Sequence, residues 1–179
     1  MTTLITPRLR LVPMGRTVLR ALADDHSKAE RLLAARIPQE YPGAGMRRAI
    51  PALLPPSDDP GAAVWGPWAL VDARRGWLLG DAGFKGPPDE EGVVEIGYRV
   101  LPRMRRRGYA SEAVAELVRW ALSQGGASRV VALIHPGNEA SQRVIAAAGA
   151  RCVARGPRRP DELWLVTPGD SPPAPGRPH

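Results

Sequence analysis

The chain has 179 residues, a formal net charge of +7 and 44% hydrophobic residues, which is enough for one domain with a sizeable core. No apolar run approaches the ~18 residues of a membrane-spanning helix, and the opening MTTLITPRLR lacks the charged and apolar regions of a secretory signal, so a cytoplasmic protein without a membrane partner is expected. The single Cys152 excludes an internal disulfide and a multi-cysteine metal site, and His26, His135 and His179 are scattered, so no metal is expected either.

Lys28 and Lys85 are the only lysines; every other cation is arginine. A basic excess suits nucleic acid, an anionic surface or a polyanionic ligand, and it also arises from coding preference alone. The arginines are spread along the whole chain, and Phe84 and the three tyrosines interleave no stacking platform among them. Specific nucleic-acid binding is therefore not expected, whereas a basic face toward a polyanionic cosubstrate needs no further assumption.

Residues 4–12 read as a first strand, ended by Pro13 and Gly15. Residues 17–36 follow a helical pattern, with Thr17 and Ser27 as candidate caps of two short helices. Residues 37–62 carry Pro38, Pro42, Pro51, Pro55, Pro56 and Pro60 and read as a long irregular segment with a short helix over 46–54. Residues 64–73 and 77–85 read as a hairpin turning at 73–76. A polar loop over 86–92 leads to an apolar run, Val93 to Val100, broken by Glu95, Gly97 and Arg99; Pro102 ends it.

Ser111 and Glu112 suit the first turn of a helix, and Ala113, Val114, Leu117, Val118, Ala121 and Leu122 recur on one helical face. Gly125-Gly126 stops it. Residues 129–135 form an apolar strand, and 138–148 a helix with Asn138 as cap and Glu139 in its first turn. Residues 150–155 and 162–167 are two closing strands. Cys152 reads as a packed core thiol. The domain spans 1–167, and the Pro-rich tail 168–179 is expected to be disordered. The mixed order of elements predicts an α/β fold with a partly antiparallel sheet flanked by helices.

The chemistry concentrates between the strand 93–100 and the helix that follows. A loop entering a helix leaves several N–H groups without partners, and the helix dipole adds positive charge there. Such a place binds phosphate, and Arg105, Arg106 and Arg107 add full charge beside it. Gly108 gives a backbone that approaches a ligand closely. The same features also describe a surface turn with a solvated basic run. Neither GxxxxGK[ST] nor GxGxxG is present, so this is neither a P-loop nor a dinucleotide fingerprint.

What stands there is R-x-x-G-x-A, Arg105 to Ala110, which resembles the acyl-CoA loop of the GNAT superfamily of N-acetyltransferases. Further matches are T-P-R-L-R-L at Thr6–Leu11, E-I-G-Y at Glu95–Tyr98, G-Y-A-S-E-A at Gly108–Ala113, and Asn138, Ser141, Val144 and Gly149 in one spaced motif. Together, over residues 5 to about 166, they resemble the branch containing the Rim-type ribosomal-protein N-terminal (alanine) acetyltransferases. The resemblance implies a GNAT-like sheet with splayed central strands and acetyl-CoA as acyl donor. It implies that the backbone at Val100 pairs with the pantetheine arm. The amides of Arg105, Arg106, Arg107, Gly108, Tyr109 and Ala110 then take the pyrophosphate, and Asn138 hydrogen-bonds the pantetheine.

Acetyl transfer needs a route for the amine's proton and stabilisation of the thiolate. Glu95 holds the family's carboxylate-base position; a carboxylate in an apolar strand is costly unless bonded or functional, and burial would raise its pKa. It also reads as a solvent-facing residue. Many members place a tyrosine seven residues after the motif asparagine, where this chain has Ile145; Ser141 is then the candidate proton donor, with Tyr98 behind it. Glu112 reads as a first-turn carboxylate favoured by the dipole. The segment 37–62 forms one wall of the acceptor site. The acceptor is a protein N-terminus by branch, or a small amine such as an amino acid, polyamine or aminoglycoside. A non-catalytic CoA-binding module is the alternative of another class, and a homodimer is compatible with any of these.

Overall fold

The computed structural model describes residues 2–57, 59–123, 126–154 and 161–170. In chain order they form β1 (Leu4–Ile5), β2 (Leu9–Pro13), α1 (Arg16–Asp24), α2 (His26–Leu33), α3 (Ala44–Leu53), α4 (Pro60–Ala63), β3 (Pro67–Asp72), β4 (Leu78–Phe84), β5 (Val93–Val100), a 3-10 turn at Pro102–Met104, α5 (Tyr109–Ser123), β6 (Arg129–Ile134), α6 (Glu139–Ala147), β7 (Arg151–Ala154) and β8 (Glu162–Val166). The sheet order is β1-β2-β3-β4-β5-β6-β8-β7. Every neighbouring pair is antiparallel except β5 and β6, whose parallel pairing needs the crossover that α5 supplies.

The N-terminal strand is two strands, because Thr6 folds the chain back. Its N–H donates to the Leu9 carbonyl at 2.9 Å, its hydroxyl accepts from Leu9 N at 3.0 Å, and Leu4 then pairs with Leu11. The caps of α1 and α2 are Gly15 and Asp25, not Thr17 and Ser27; the Asp25 carboxylate accepts from Lys28 N at 2.9 Å. The expected hairpin is shorter, 67–72 against 78–84, since Asp72 accepts from Arg74 N and Arg75 N and tightens the turn early. Cys152 is half-buried on β7, not in the core, because β7 lies at the edge of the sheet. Asp58, Arg155, the stop at Gly125 and positions 171–179 of the expected tail lie outside the described residues.

The central strands are apolar on both faces and feed two cores. On one face Leu9, Leu11, Trp68, Leu70, Leu79 and Phe84 pack with Ala113, Val114, Leu117, Val118 and Ala121 of α5 and Ile145 of α6. Trp65, Trp68, Phe84 and Trp120 meet there with ring centroids 4.9–5.9 Å apart. On the other face Val12, Ala69, Val71 and Leu78 pack with Val18, Leu19 and Leu22 of α1, Ala29 and Leu33 of α2, and Met46 and Ile50 of α3. Burying each such Leu or Val stabilises the fold by about 1.5–3 kcal/mol, so α1–α3 and α5 are clamped on opposite sides of β3, β4 and β5.

Candidate active site

The sheet parts in the middle. β5 and β6 pair only at Val93 with Arg129, Val94 with Val130 and Glu95 with Val131. β5 continues beside β4 through Val100 with Gly80. Lys85 N donates to the Glu95 carbonyl and Leu101 N to the Leu79 carbonyl. Odd-numbered residues of β5 therefore face β4 with their backbone groups, and those of Ile96, Tyr98 and Val100 point into the gap toward β6. The Arg105 Nε reaches back and donates to the Val100 carbonyl at 3.2 Å.

At the mouth of the gap lies the Arg-rich loop. Arg106 at φ 61° and Gly108 at φ 78° are left-handed, a geometry that gathers successive amides into an anion-binding turn. The amides of Arg106 to Ala110 find no protein acceptor among the described residues, and α5 begins at Tyr109, so loop amides and helix dipole act on one place. The side chains of Arg105, Arg106 and Arg107 are exposed around it.

This loop is fastened from behind by residues whose role sequence reasoning missed. Glu112 accepts from Thr6 Oγ1 at 2.5 Å, Arg8 N at 2.9 Å and Arg8 Nε at 2.6 Å. Arg8 Nη1 donates to the Arg107 carbonyl at 2.8 Å, and its guanidinium lies 4.8 Å over the Tyr109 ring. A Cβ at Gly108 would stand 3.2 Å from Arg8 Nη2. Glu112, in the first turn of α5 as read from the sequence, is thus also a tie to Thr6 and Arg8 ahead of β2. The signal was present in the T-P-R-L-R-L motif, though not what it touches.

Across the gap, the Asn138 side chain caps α6 by accepting from Ser141 N at 3.1 Å, which leaves its NH₂ donors uncommitted by the cap. The Tyr98 hydroxyl donates to the Ser141 carbonyl at 2.7 Å. Burial holds the Tyr98 hydroxyl well above the usual phenol range, with the bond to Ser141 opposing. Ile145, at the place of the family's tyrosine, is buried in the core.

Glu95 stands on the opposite face of β5 from Tyr98, so the structure does not bring Glu95 and Ser141 together. Lys85 pairs with Glu95, and a quarter of the Glu95 side chain is exposed, 25%, so it is bonded and partly open to solvent. Beyond it, on the same face, a cavity of about 280 Å³ opens under α3, with Met46, Ala49, Leu53 and Phe84 among its walls and Asp81, Lys85 and Arg99 as its charged members. The segment 37–62 contributes Gly45, Met46, Ala49 and Leu53 to this cavity. A second cavity of about 280 Å³ adjoins it, reaching Tyr41, Val100, Leu101 and Arg105. Asp81 and Arg99 line both.

A model of the acetyltransferase (GNAT) domain matches residues 8–151. YjdG, an uncharacterized N-acetyltransferase of Bacillus subtilis, is 32% identical over 152 residues, which are 83% of this chain and 89% of its own. Among solved structures, a ribosomal-protein-S5-alanine acetyltransferase from Vibrio fischeri is similar with a TM-score of 0.65 at 15% identity, over 97% of this chain and 100% of that one. An acetyltransferase from Agrobacterium tumefaciens is similar with a TM-score of 0.63 at 22% identity, over 93% and 94%. At these identities the two structures show a shared fold.

Proposed function

Because the chain belongs to the GNAT family of acetyltransferases, we propose that it is a cytoplasmic enzyme moving the acetyl group of acetyl-CoA to a primary amine, a protein N-terminus or a small molecule. The observation that carries the reading is the coincidence of two features: a β5 edge opened beyond Glu95 and a run of unpaired amides at the start of α5. An extended pantetheine arm needs the first and a pyrophosphate needs the second.

In this reading acetyl-CoA supplies the activated thioester. The backbone of Val100 aligns the arm, with the Val100 carbonyl already engaged by Arg105 and its N–H left for the ligand. The amides of Arg106 to Ala110 bind the pyrophosphate, and the side chains of Arg105, Arg106 and Arg107 neutralise it. Asn138 uses its oxygen for the cap and its NH₂ for the arm. Glu95, oriented by Lys85, draws the proton of the acceptor amine away through water. Ser141, on the other face of β5, stands on the side where the thiolate leaves and donates to it. The amine thus arrives from the α3 face and the thiol departs toward α6.

Calorimetric titration with acetyl-CoA, followed by an amine panel read out as released thiol, tests the function. Micromolar binding together with transfer to at least one primary amine is expected. Binding without transfer to any amine would favour a CoA-binding module, and no binding would remove the enzyme reading.

A further inference from the structure

We infer that the acceptor is a small primary aliphatic amine whose ammonium head is received by Asp81 and whose carbon chain lies in the apolar cavity under α3. This rests on the acetyl-transfer reading and deepens it. Three cross-strand pairs form the floor of that cavity on the α3 face: Asp81 with Arg99, Gly83 with Gly97, and Lys85 with Glu95 next to them. The floor is therefore two ion pairs with a stretch free of side chains between them. A Cβ built on Gly97 meets nothing within 4 Å, so the space above this strand is open, and Met46, Ala49 and Leu53 of α3 close it with apolar surface.

Asp81 is the part of this floor that the fold itself leaves unexplained. Its Oδ2 is buried and has no hydrogen-bond partner. The Arg99 guanidinium stands 3.5 Å away, an ion-pair separation too long for a sound hydrogen bond. Burial pushes Asp81 above the usual carboxyl range even though Arg99 and the buried Tyr41 hydroxyl lie beside the same carboxyl and oppose the shift. A buried carboxylate short of donors is costly, and an ammonium with three N–H donors is the group that relieves it. Asp81 also has the right place. It lines the apolar cavity on one side and, on the other, the cavity that reaches Val100 and Arg105. An amine head at Asp81 thus stands between a slot for its chain and the end of β5 where the thioester is aligned. The proton it loses before attack passes through water to Glu95, which lies on the same face, four residues along β5 from the Arg99 opposite Asp81.

The same floor argues against a peptide. Backbone groups of Gly83 and Gly97 are turned toward one another in the β4–β5 ladder, so they offer no free donors or acceptors to a peptide chain. An amide of a peptide laid against Met46, Ala49 and Leu53 would go unpaired, whereas a methylene group would not.

The test compares n-pentylamine with a pentapeptide beginning in alanine as acceptors, for the wild-type chain, Asp81→Asn and Gly97→Leu, with acetyl-CoA affinity measured separately on each protein. We expect pentylamine to be the better acceptor. Asp81→Asn should raise its KM about tenfold or more with a much smaller change in kcat and none in acetyl-CoA affinity. Gly97→Leu fills the open space and should abolish transfer to pentylamine with acetyl-CoA affinity retained, which keeps the inference testable if Asp81→Asn folds poorly. An unchanged KM in a folded Asp81→Asn, pentylamine transfer surviving Gly97→Leu, or a preference for the peptide would overturn the inference while leaving acetyl transfer standing. Failure of the wild-type chain to bind acetyl-CoA, or to acetylate any amine, would overturn both.

Discussion

The Tyr98 hydroxyl donates to the backbone carbonyl of Ser141 across the gap between the two halves of the sheet, at 2.7 Å. It is a strut from β5 to the first turn of α6, set where the strands have already parted. A hydroxyl so engaged, and held by burial above the usual phenol range, is not poised to give its proton to a leaving thiolate. Tyr98→Phe is expected to cost about 1 kcal/mol of stability, measured by urea unfolding. The alkaline limb of the rate profile should stay where it is. A shift of that limb in the variant would make Tyr98 the acid instead.

The Arg8–Glu112 tie holds the Arg105–Ala110 loop in shape before any ligand arrives. Glu112→Gln or Arg8→Ala is expected to weaken acetyl-CoA binding about tenfold, the scale of removing one charge-assisted hydrogen bond from a preorganised loop. The turnover number at saturating acetyl-CoA should move little. Calorimetry on the two variants and on the double variant, Arg8→Ala with Glu112→Gln, separates a tie from two unrelated interactions: a loss in the double variant smaller than the sum of the two single losses is the expected result.

Gly83 and Gly97 are opposite one another yet bear different loads. A Cβ on Gly83 would lie 2.3 Å from the Gly66 carbonyl oxygen and 2.7 Å from Pro67 Cα, both backbone, while one on Gly97 meets nothing within 4 Å. Gly83→Ala should destabilise the fold by about 3 kcal/mol, and Gly97→Ala should stay within about 0.5 kcal/mol of the wild type. Thermal or urea unfolding of the two variants checks the contrast.

Asp81 gives stability a pH dependence of definite sign. Burial raises its folded-state pKa, against the Arg99 charge, so the folded chain holds this proton more tightly than the unfolded one. Its favourable contribution is complete below the unfolded pKa of about 3.9 and is lost as pH rises through the folded value. Asp81→Asn removes that loss. The stability of the variant relative to the wild type should therefore rise between pH 4 and pH 7, by unfolding at each pH. A relative stability independent of pH would mean that Asp81 is not desolvated.

Much of the architecture was legible because it rests on local periodicity and on punctuating residues. Val93 to Val100 was readable as a strand from its apolar run and Pro102, and α5 from the spacing of Val114, Leu117, Val118 and Ala121. The mixed, partly antiparallel α/β sheet followed from the order of elements. What was not legible depends on contacts distant in sequence. Nothing local to Glu112 announces Arg8, more than a hundred positions earlier. Nothing near Glu95 announces that Lys85 will pair with it, because that requires the register of β4 against β5. Asp81 gave no signal at all: an aspartate between Gly80 and Ala82 looks like any polar residue in a hairpin until α3 is laid over it. Thr6 was absorbed into the first strand although alternation starts only after Pro7, because the turn is made by bonds between Thr6 and Leu9 that no apolar pattern announces.

The cluster of Trp65, Trp68, Phe84 and Trp120 makes the seating of α5 visible to light. Trp120 belongs to the helix, Trp68 to the sheet beneath it, and Trp65 to the residues leading into that strand. Their asymmetric environment survives only while the helix is docked. If α5 lifts away without unravelling, far-ultraviolet circular dichroism stays nearly constant and the near-ultraviolet bands of these rings collapse. The protein thus carries an intrinsic gauge of whether the loop Arg105–Ala110 still has a base to stand on, readable without a label and before any substrate is added.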